Sequence, residues 1–597
     1  MMDNRVSSAT VFQGEAFVKG TASGKLIASD LELSFWGGVN PDTGEIIDRH
    51  HKLSGQRLQN TIFAIPSGRG SCSGSGVMLE LLLNEKGPKA ILFERREEIL
   101  TLGVMIAEEI FGKSIPVVVL QKEDFRKILR LDGQCVYIVD ERVSNSELIG
   151  QPDTKPPYLS VGGLTSSANG VQLSQSDRAF LDGVCGEAAR VSMRIILRMA
   201  ELLGAQELMD ISQVHVDGCV YTGPGSLLFA ERLRDWGGKV HVPTSLNSIS
   251  VDQKRWRAQG IDPALGEAAA KLADAYIDMG AQPTFTCAPY QLANAPKFGQ
   301  QIAWAESNAV VYANSVLGAR TMKYPDFLDI SIALTGRAPK AGPHLDVNRQ
   351  ASLVINVCAI REIKDIDDVF YPLLGYHVGT LASSEIPVIV GIEPLRPSRD
   401  DLKAFGAAFA TTSSAPMFHI TGVTPEAPVL DAVIGSGPHI RSVDIDPQAL
   451  NWCWDKLNSA SKHHPVDLVS LGNPHFSFAE IRKLAEFCRG RCKKDNVSVV
   501  VTCGRTSYGL ACQAGLVKEL ERFGVDFITD TCWCMITKPT IPLSQSAIMT
   551  NSGKYAYYGP GLTGKSFHFG SLASCVEVAC QGGLLGSRPV WLLDEFV

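Results

Sequence analysis

Short apolar runs alternate with polar turns through the first quarter of the chain. Runs of this kind, bounded by turn residues, predict β-strands, and longer stretches with apolar positions on one face predict helices. The predicted strands are 14–19, 24–28, 61–65, 90–93, 117–119 and 135–140, and the predicted helices are 75–83 and 104–111. This alternation indicates a compact α/β unit.

A segment rich in proline, glycine and serine follows at 151–170. It contains two adjacent prolines and two adjacent glycines, and this composition favours an extended connector over a packed element. We therefore predict a small domain at 1–155, a linker at 156–170 and a large region at 171–597.

Amphipathic helices and strand–loop–helix units fill the large region. The clearest helix pattern spans 176–203, where apolar residues recur every three or four positions. Strands are predicted at 211–216, 240–242, 385–392, 466–471, 497–502 and 525–529, with helices that include 226–236 and 511–523. Ligands collect at the carboxyl ends of strands in an open parallel sheet, so this order predicts a doubly wound α/β region with its site at those ends.

Composition excludes several classes of partner. The 597 residues are 45% hydrophobic and 20% charged, which is typical of a multidomain protein that folds throughout its length. The net charge of −7 and the lack of a basic stripe argue against nucleic acid as a ligand. No apolar stretch reaches the roughly 18 residues that span a bilayer, and the amino terminus is polar, so we expect no membrane partner and a cytoplasmic location.

Fifteen cysteines are many for a chain without an export signal. In a reducing compartment they are expected to be thiols, metal ligands or catalytic groups. Those in apolar helical patterns are interpreted as core residues. The cysteines on loops beside glycine, proline or polar residues are the candidates for chemistry, namely Cys72, Cys287, Cys503, Cys532 and Cys534.

The loop at 66–76 contains four glycines, four serines and Arg69 between two apolar elements. Glycine allows positive φ and close approach of a ligand, while the hydroxyls, amides and guanidinium can bind a small anion or a substrate oxygen. A mobile surface loop is the alternative, but a flexible linker has no reason to lie between two buried elements. It is not a nucleotide-binding loop of the Walker type, because no Gly-Lys-Ser/Thr follows.

The chain resembles the aconitase X family along nearly its whole length. The resemblance rests on GRGS at 68–71, TCAPY at 286–290, AWAES at 303–307, YANSVLGAR at 312–320, GPHL at 342–345, DTC at 530–532 and TNSGK at 550–554. It implies a small swivelling β/α domain fused to a large, multi-lobed α/β/α aconitase-like region. It also implies a hydro-lyase with an iron–sulfur cluster and a substrate held between the two parts.

Site residues are carried over from the same resemblance. It implies that Ser71 is the base and that Cys287 and Cys532 are cluster ligands. The family's usual Gly-Cys-Pro-His reads GNPH at 472–475, so one expected thiolate is absent. We expect Cys503 to replace it, with Cys358 and Cys534 as alternatives. Because two of the usual ligands remain, we favour a [2Fe-2S] cluster over [3Fe-4S] or [4Fe-4S].

The remaining site residues are expected to bind the substrate or to assist the base. Arg69 and the loop amides would stabilise a serine alkoxide. The expected substrate-binding residues are Gly70, Gly218, Cys219, Val220, Asn247, Ser248, Ser307 and Lys554.

Fused single-chain members of the family resemble the dehydratase that converts cis-3-hydroxy-L-proline to 1-pyrroline-2-carboxylate, and this is the expected reaction. Some two-chain members look like mevalonate 5-phosphate dehydratases, and that compound is the alternative substrate. An iron–sulfur sensor or RNA-binding protein is the alternative outside enzymes. We expect a small-molecule hydroxy amino acid as the partner and a monomer, although the sequence leaves the oligomeric state open.

Overall fold

The computed structural model describes residues 10–48, 51–147, 170–358, 365–435, 440–544, 546–583 and 588–592. The chain divides into two compact units that are each assembled from separate parts of the sequence. The first contains Met1–Met209, Thr222–Gly238 and Pro325–Lys340, and the second contains Asp210–Tyr221, Lys239–Tyr324 and Ala341–Val597. The predicted linker lies outside the described residues except for Gly170.

A mixed eight-stranded sheet forms the centre of the first unit. Its strands are β1 Val11–Gln13, β2 Glu15–Val18, β3 Thr21–Ala28, β4 Ile62–Ile65, β5 Ala90–Phe93, β6 Val117–Val119, β7 Cys135–Val139 and β8 Arg142–Ser144. The order across the sheet is β1-β8-β7-β3-β4-β5-β6-β2, with β3 to β6 parallel and the outer pairs antiparallel. Strands β4 and β5 are apolar and buried along their whole length, as expected for central parallel strands.

Helices and one short strand pair complete this unit. The helices are α1 Gly74–Leu83, α2 Ile99–Phe111, α3 Lys122–Leu129, α4 Gln175–Leu181, α5 Glu187–Leu203, α6 Pro224–Asp235 and α9 Leu328–Thr335, and the paired strands are β9 Leu208–Asp210 and β13 Arg337–Pro339. Buried ion pairs join α2 to α5, with 2.6 Å between Arg194 Nη2 and Glu109 Oε2 and 2.7 Å between Arg198 Nη2 and Glu108 Oε2. Elements far apart in sequence therefore share one core.

The single helix predicted at 176–203 is wrong. The chain forms α4 and α5 with a break between them, because Gly183 and Gly186 adopt positive φ of 77° and 94°. Val184, predicted on the apolar face, lies in this break and is 77% exposed.

The described residues of the second unit form three parallel sheets. Its strands are β10 Val214–Val216, β11 Thr244–Leu246, β12 Ala303–Trp304, β14 Leu353–Asn356, β15 Pro387–Val390, β16 His419–Ile420, β17 Arg441–Asp444, β18 Val466–Phe476, β19 Ser498–Cys503, β20 Val525–Ile528, β21 Ala547–Thr550 and β22 Phe567–Phe569. The sheet orders are β11-β10-β12, β16-β15-β14-β17 and β20-β19-β18-β21-β22. All of these pairings are parallel.

Helices alternate with these strands, as doubly wound architecture requires. They are α7 Pro263–Asp278, α8 Ser307–Tyr312, α10 Phe370–Ala382, α11 Arg399–Thr412, α12 Pro447–Leu457, α13 Phe478–Cys488, α14 Arg505–Gln513, α15 Leu516–Phe523, α16 Gly553–Thr563 and α17 Leu572–Gln581. The predicted α/β class is confirmed. The strand predicted at 240–242 is wrong, because the strand is β11, which begins at Thr244.

Within the described ranges, no helix combines the length and the apolar character that a membrane crossing requires.

A buried carboxyl caps helix α2 in the first unit. Glu97 is 3% exposed and accepts backbone N–H bonds from Ile99 at 3.1 Å, Leu100 at 2.8 Å and Thr101 at 3.2 Å. Burial raises the pKa of Glu97 to about 7, although the three N–H donors favour the charged form. Protonation of this carboxyl is therefore coupled to folding.

We expect the stability advantage of wild type over Glu97→Gln to fall as pH rises from about 5 to about 8. The folded-state pKa is raised, so the contribution of Glu97 is fully present below its unfolded pKa and is lost as pH rises through about 7. The change is on the order of 3 kcal/mol, from about 1.4 kcal/mol per pKa unit. Denaturant unfolding at several pH values measures it, with exposed Glu123→Gln as the control. A Glu97→Gln difference that stays flat or grows with pH would contradict the assignment.

Candidate active site

Three thiols of the second unit lie in one hydrogen-bonded group, which we call the thiol cluster and define as Cys287, Cys532 and Cys534. The Cys532 sulfur is hydrogen-bonded to both Cys287 and Cys534. Cys287 follows the strand-like segment that bonds to β11, and the other two follow β20. The cluster therefore lies where parallel strands end, as the sequence predicted for a site.

The turn inside β18 supplies polar groups to the cluster. The His475 backbone N–H donates to Cys287 Sγ at 3.3 Å, and Asn473 Nδ2 donates to Cys534 Sγ at 3.3 Å. Gly472 has φ of 94°, and a Cβ at this position would lie 2.0 Å from the Thr502 carbonyl oxygen. Only glycine fits there, so it determines how the turn approaches the sulfurs.

A partly buried ion pair lies beside the thiols. Lys554 Nζ, at the start of α16, donates to Glu306 Oε1 at 2.7 Å. Asn308 Nδ2 donates to the same carboxylate and to the Cys287 carbonyl oxygen, the latter at 3.1 Å, and Tyr290 OH donates to Asn308 Oδ1 at 3.0 Å. This chain of bonds links the lysine to the segment that holds the first thiol.

The electrostatics of the cluster favour a thiolate at its centre. Hydrogen bonds from Cys287 and Cys534 lower the pKa of Cys532 well below its usual value. Burial raises the pKa of Cys287, and the bond to Cys532 raises the pKa of Cys534. Burial opposes the charge of Lys554, but Glu306 and the thiols outweigh that penalty and raise the pKa of Lys554 well above its usual value.

These residues fit an iron–sulfur group by their chemistry. Thiolates are the ligands that such clusters use, and amide donors to sulfur and a nearby cation stabilise the negative charge of ligated thiolates. Among the described residues, no three His, Cys, Asp or Glu side chains are already arranged to hold a metal ion. The fit therefore rests on the donor set and its surroundings.

The other two cysteines considered as ligands lie elsewhere. Cys503 packs in the buried apolar cluster of the β18–β19 sheet and its covering helices. Burial raises the pKa of Cys503 to about 12, which disfavours a thiolate. The Cys358 sulfur lies against Gly391, beyond the end of β14. The structure thus groups Cys534 with the two ligands implied by resemblance, and it does not bring Cys503 or Cys358 into that group.

Residues expected to bind substrate occupy the neighbouring strand ends. Asn247 and Ser248 follow β11. The residue before them, Leu246, accepts the Thr286 N–H at its carbonyl at 3.2 Å. The residue after them, Ile249, donates its N–H to the Asp530 carbonyl at 2.7 Å. These bonds place the Asn247 turn between the chain segments that lead into the two predicted cysteine ligands.

Gly218, Cys219 and Val220 follow β10, the strand that pairs with β11. The Cys219 thiol donates to the Val216 carbonyl at 3.5 Å and to the Asn247 carbonyl at 3.4 Å. Ser307 begins α8 directly after Glu306. The structure therefore places the predicted substrate residues of the large region at strand ends near the thiols, with Lys554 among them.

The Ser71 loop belongs to the first unit. Ser71 Oγ accepts the Ser73 N–H at 3.3 Å and lies 3.3 Å from Ser73 Oγ, next to the start of α1. Arg69 Nη2 pairs with Asp48 Oδ2 at 3.1 Å, and its Nε donates to the Glu32 carbonyl at 3.2 Å. Gly70, with φ of 86°, makes the reversal between the two residues.

Sequence reasoning missed Glu306 and Asn308, and it ranked Cys534 behind Cys503. The AWAES motif contained Glu306, and a carboxylate beside a predicted substrate serine was the available signal. Cys534 was ranked lower because the apolar run around it is also typical of a core thiol. The chain turns after β20, with the Met535 N–H donating to the Cys532 carbonyl at 2.9 Å, and the turn brings both sulfurs together.

Fold and site define an α/β enzyme whose thiol-lined site lies at the ends of parallel strands. Sequence models of the aconitase X swivel, first, second and third domains match residues 11–144, 170–347, 351–455 and 466–581. The chain therefore belongs to the aconitase X family.

Curated relatives share most of the sequence. The chain is 63% identical to "Cis-3-hydroxy-L-proline dehydratase" of Hypocrea jecorina, over 96% of this chain and 95% of the relative, and 50% identical to the Pseudomonas aeruginosa protein of that name, over 97% and 98%. It is 32% identical to the "Phosphomevalonate dehydratase large subunit" of Methanocaldococcus jannaschii, over 68% of this chain and 99% of the relative. With these dehydratases as relatives, the chain is a hydro-lyase. Among solved structures, Thermococcus kodakaraensis aconitase X in its holo-form matches with a TM-score of 0.61 and 29% identity, over 68% of this chain and 100% of that one.

We expect Gly472→Ala to destabilise the protein by more than Gly490→Ala. Both glycines have positive φ, of 94° and 72°, which costs an L-residue about 1–2 kcal/mol. A Cβ at Gly490 has no heavy atom within 4 Å, whereas at Gly472 it would collide with Thr502. Overpacking of this kind adds roughly 1–3 kcal/mol. Denaturant unfolding measures both variants, and equal losses would show that the Gly472 turn can relax.

Proposed function

We propose that the chain dehydrates cis-3-hydroxy-L-proline to 1-pyrroline-2-carboxylate. The observation that carries this proposal is the 63% and 50% identity, over nearly the whole chain, to two proteins named for that reaction. The resemblance implies a set of site residues, and their position at the strand ends supports the proposal. The second unit groups a partly buried lysine, polar turns and three thiols near strand ends of two sheets.

The reaction removes a proton from Cα and a hydroxyl from the next ring carbon. Neither the C–H bond at Cα nor the C–O bond of the hydroxyl breaks readily alone. The enzyme must therefore supply a base and must stabilise charge on the carboxylate side. In the cis isomer, hydroxyl and carboxylate share one ring face, so the Cα proton lies on the opposite face from the hydroxyl. Elimination can then be anti, and the enamine formed with loss of water tautomerises to the imine product.

We assign Ser71 as the base that removes the Cα proton. A serine hydroxyl is a weak base unless its alkoxide is stabilised. The Ser73 N–H reaches Ser71 Oγ at 3.3 Å beside the amino terminus of α1, where backbone amides favour negative charge. Arg69 is directed to Asp48 at 3.1 Å, so its contribution in this proposal is to hold the loop.

Carboxylate binding is assigned to the polar turns after β10 and β11 and to Lys554. The Lys554 ammonium keeps its charge beside Glu306. In this proposal it donates a hydrogen bond to the substrate carboxylate. A phosphate group would require several cations around it, and the contacts of Lys554 described above include no second cation. This favours a hydroxy amino acid over mevalonate 5-phosphate.

We propose that Cys287, Cys532 and Cys534 hold an iron–sulfur cluster. When bound, such a cluster would supply Lewis acidity for breaking the C–O bond. Three thiolates leave one position of a [2Fe-2S] cluster without a protein thiolate, and we retain this type as the proposal. All fifteen cysteines lie among the described residues and are free thiols, in keeping with a reducing, cytoplasmic location.

Turnover of cis-3-hydroxy-L-proline by the purified enzyme tests the substrate assignment. The trans-3 isomer places the Cα proton and the hydroxyl on the same ring face, so we expect its kcat/KM to be roughly 100-fold lower because the groups are misaligned. Mevalonate 5-phosphate is the competing substrate. Preferential turnover of that compound would replace the proposed substrate, and no turnover of any of the three would refute the proposed reaction.

Ser71→Ala should lower kcat by roughly 10²–10⁴-fold, the range for loss of a general base. Ser73→Ala is the matched control in the same loop, because it keeps the Ser71 hydroxyl and the Ser73 backbone donor. We expect this control to retain most of the turnover. Steady-state kinetics of both variants decides the point, and comparable activity in Ser71→Ala and wild type would assign the proton to another group.

Cys534→Ala should lower the iron and sulfide content per chain, whereas Cys503→Ala should retain the wild-type content. The reason is that Cys534 bonds to Cys532 while Cys503 lies in an apolar core. Anaerobic purification, metal analysis and electron paramagnetic resonance of the reduced protein measure content and cluster type together. The opposite pattern, with iron lost only from Cys503→Ala, would restore Cys503 as the third ligand.

A further inference from the structure

His475 joins the two chain segments that lead into the predicted cysteine ligands. Its Nε2 lies 2.8 Å from the Thr531 carbonyl oxygen and its Nδ1 lies 3.2 Å from Thr286 Oγ1. A carbonyl oxygen only accepts, so Nε2 carries the hydrogen. In the neutral ring, Nδ1 then accepts the Thr286 hydroxyl hydrogen. The imidazole is fully buried between them.

The two partners of the ring are significant because of their place in the sequence. Thr286 immediately precedes Cys287, and Thr531 immediately precedes Cys532. The backbone N–H of His475 adds a third bond, to Cys287 Sγ at 3.3 Å. One residue therefore contacts both segments and one of the sulfurs.

His475 is itself held from the opposite side. Its carbonyl oxygen accepts from Lys403 Nζ at 3.3 Å and from Gln291 Nε2 at 3.2 Å. Lys403, on α11, is buried and paired with Glu480 and Asp400. The position of the imidazole is thus determined by groups that do not belong to the thiol cluster.

Two other roles for His475 disagree with this geometry. A metal ligand needs a ring nitrogen with a lone pair directed at the metal, but Nε2 is a donor to Thr531 and Nδ1 faces Thr286. A proton carrier needs access to substrate or water, whereas this ring is buried among protein groups. The role of His475 that agrees with this geometry is control of the distance between the two cysteine-bearing segments.

We propose that His475 is a positioning residue that fixes the spacing of Cys287 and Cys532 and so sets how firmly the thiol cluster holds its iron–sulfur group. This inference rests on the cluster assigned under the proposed function. Partners that orient metal ligands without touching the metal are commonly worth 10- to 100-fold in affinity.

The test compares His475→Ala, His475→Gln and His475→Asn with wild type. Gln can keep the donor to Thr531 and Asn can keep the acceptor for Thr286, so each retains one arm of the link. Thr286→Val removes the hydroxyl with little change in shape, and it serves if the histidine variants fail to fold. His419→Gln is the matched control, because His419 is fully buried and its Nε2 bonds to the Arg349 carbonyl at 2.7 Å, outside the thiol cluster.

The measurement is the rate at which a ferrous chelator removes iron from each anaerobically purified protein, together with the thermal midpoint of the iron-free form. We expect iron loss from His475→Ala to be roughly 10- to 100-fold faster than from wild type, with intermediate rates for Gln, Asn and Thr286→Val. His419→Gln should lower the thermal midpoint and leave the rate within about twofold of wild type, because it acts on folding alone.

Two results would overturn the inference while leaving the proposed function in place. One is a wild-type rate of iron loss in His475→Ala and Thr286→Val, and the other is equally fast loss from His419→Gln, which would mean general destabilisation. A wild-type protein that contains no iron would instead refute the proposed cluster, and the inference would fail with it.

Discussion

The site depends on compensation of thiolate charge inside a buried pocket. A thiolate at Cys532 is sustained by two S–H donors, by amide donors to the neighbouring sulfurs and by the Lys554 ammonium. Most of these groups are buried, and an unpaired charge there would be costly. The Glu306 carboxylate offsets the positive charge of Lys554 when the thiols are neutral. The arrangement therefore tolerates both protonated and ionised sulfur. Removing Glu306 would leave the Lys554 ammonium without its carboxylate partner.

The parallel sheets make this compensation possible. Parallel strands of one sheet end at a common edge. The turn after β11 in one sheet meets the turn after β20 in another through backbone bonds such as Ile249 N–H to the Asp530 carbonyl, and the turn inside β18 lies in the same sheet as β20. Asp530 has φ of 70° and its carboxylate accepts from Arg505 at 2.9 Å, which holds the turn before Cys532 in an uncommon conformation. The sheets thus bring distant segments together, and local pairs determine the final angles.

Much of this was predictable where the pattern is local. Strand 90–93 and the helix after the Ser71 loop follow from apolar periodicity, and convergence at strand ends follows from sheet geometry. The break between α4 and α5 was missed because two glycines outweigh an apolar stripe that continues across them. The grouping of Cys534, instead of Cys503, with Cys287 and Cys532 was not predicted for another reason. Which thiols meet depends on a turn after β20, and sequence spacing alone does not distinguish a turn from a strand.

Asn473 occupies the position where the family motif has a cysteine, and its contact shows what the exchange does. The amide donates to Cys534 Sγ at 3.3 Å, so a residue that would have added a negative ligand adds a hydrogen-bond donor instead. Ser552 Oγ in turn donates to the Asn473 carbonyl and ties this turn to the segment before Lys554. Fewer thiolates at constant lysine charge make the pocket less negative, and a donor to sulfur favours the same direction. In the proposed iron–sulfur site, the exchange would therefore change the charge of the pocket as well as the number of thiolate ligands.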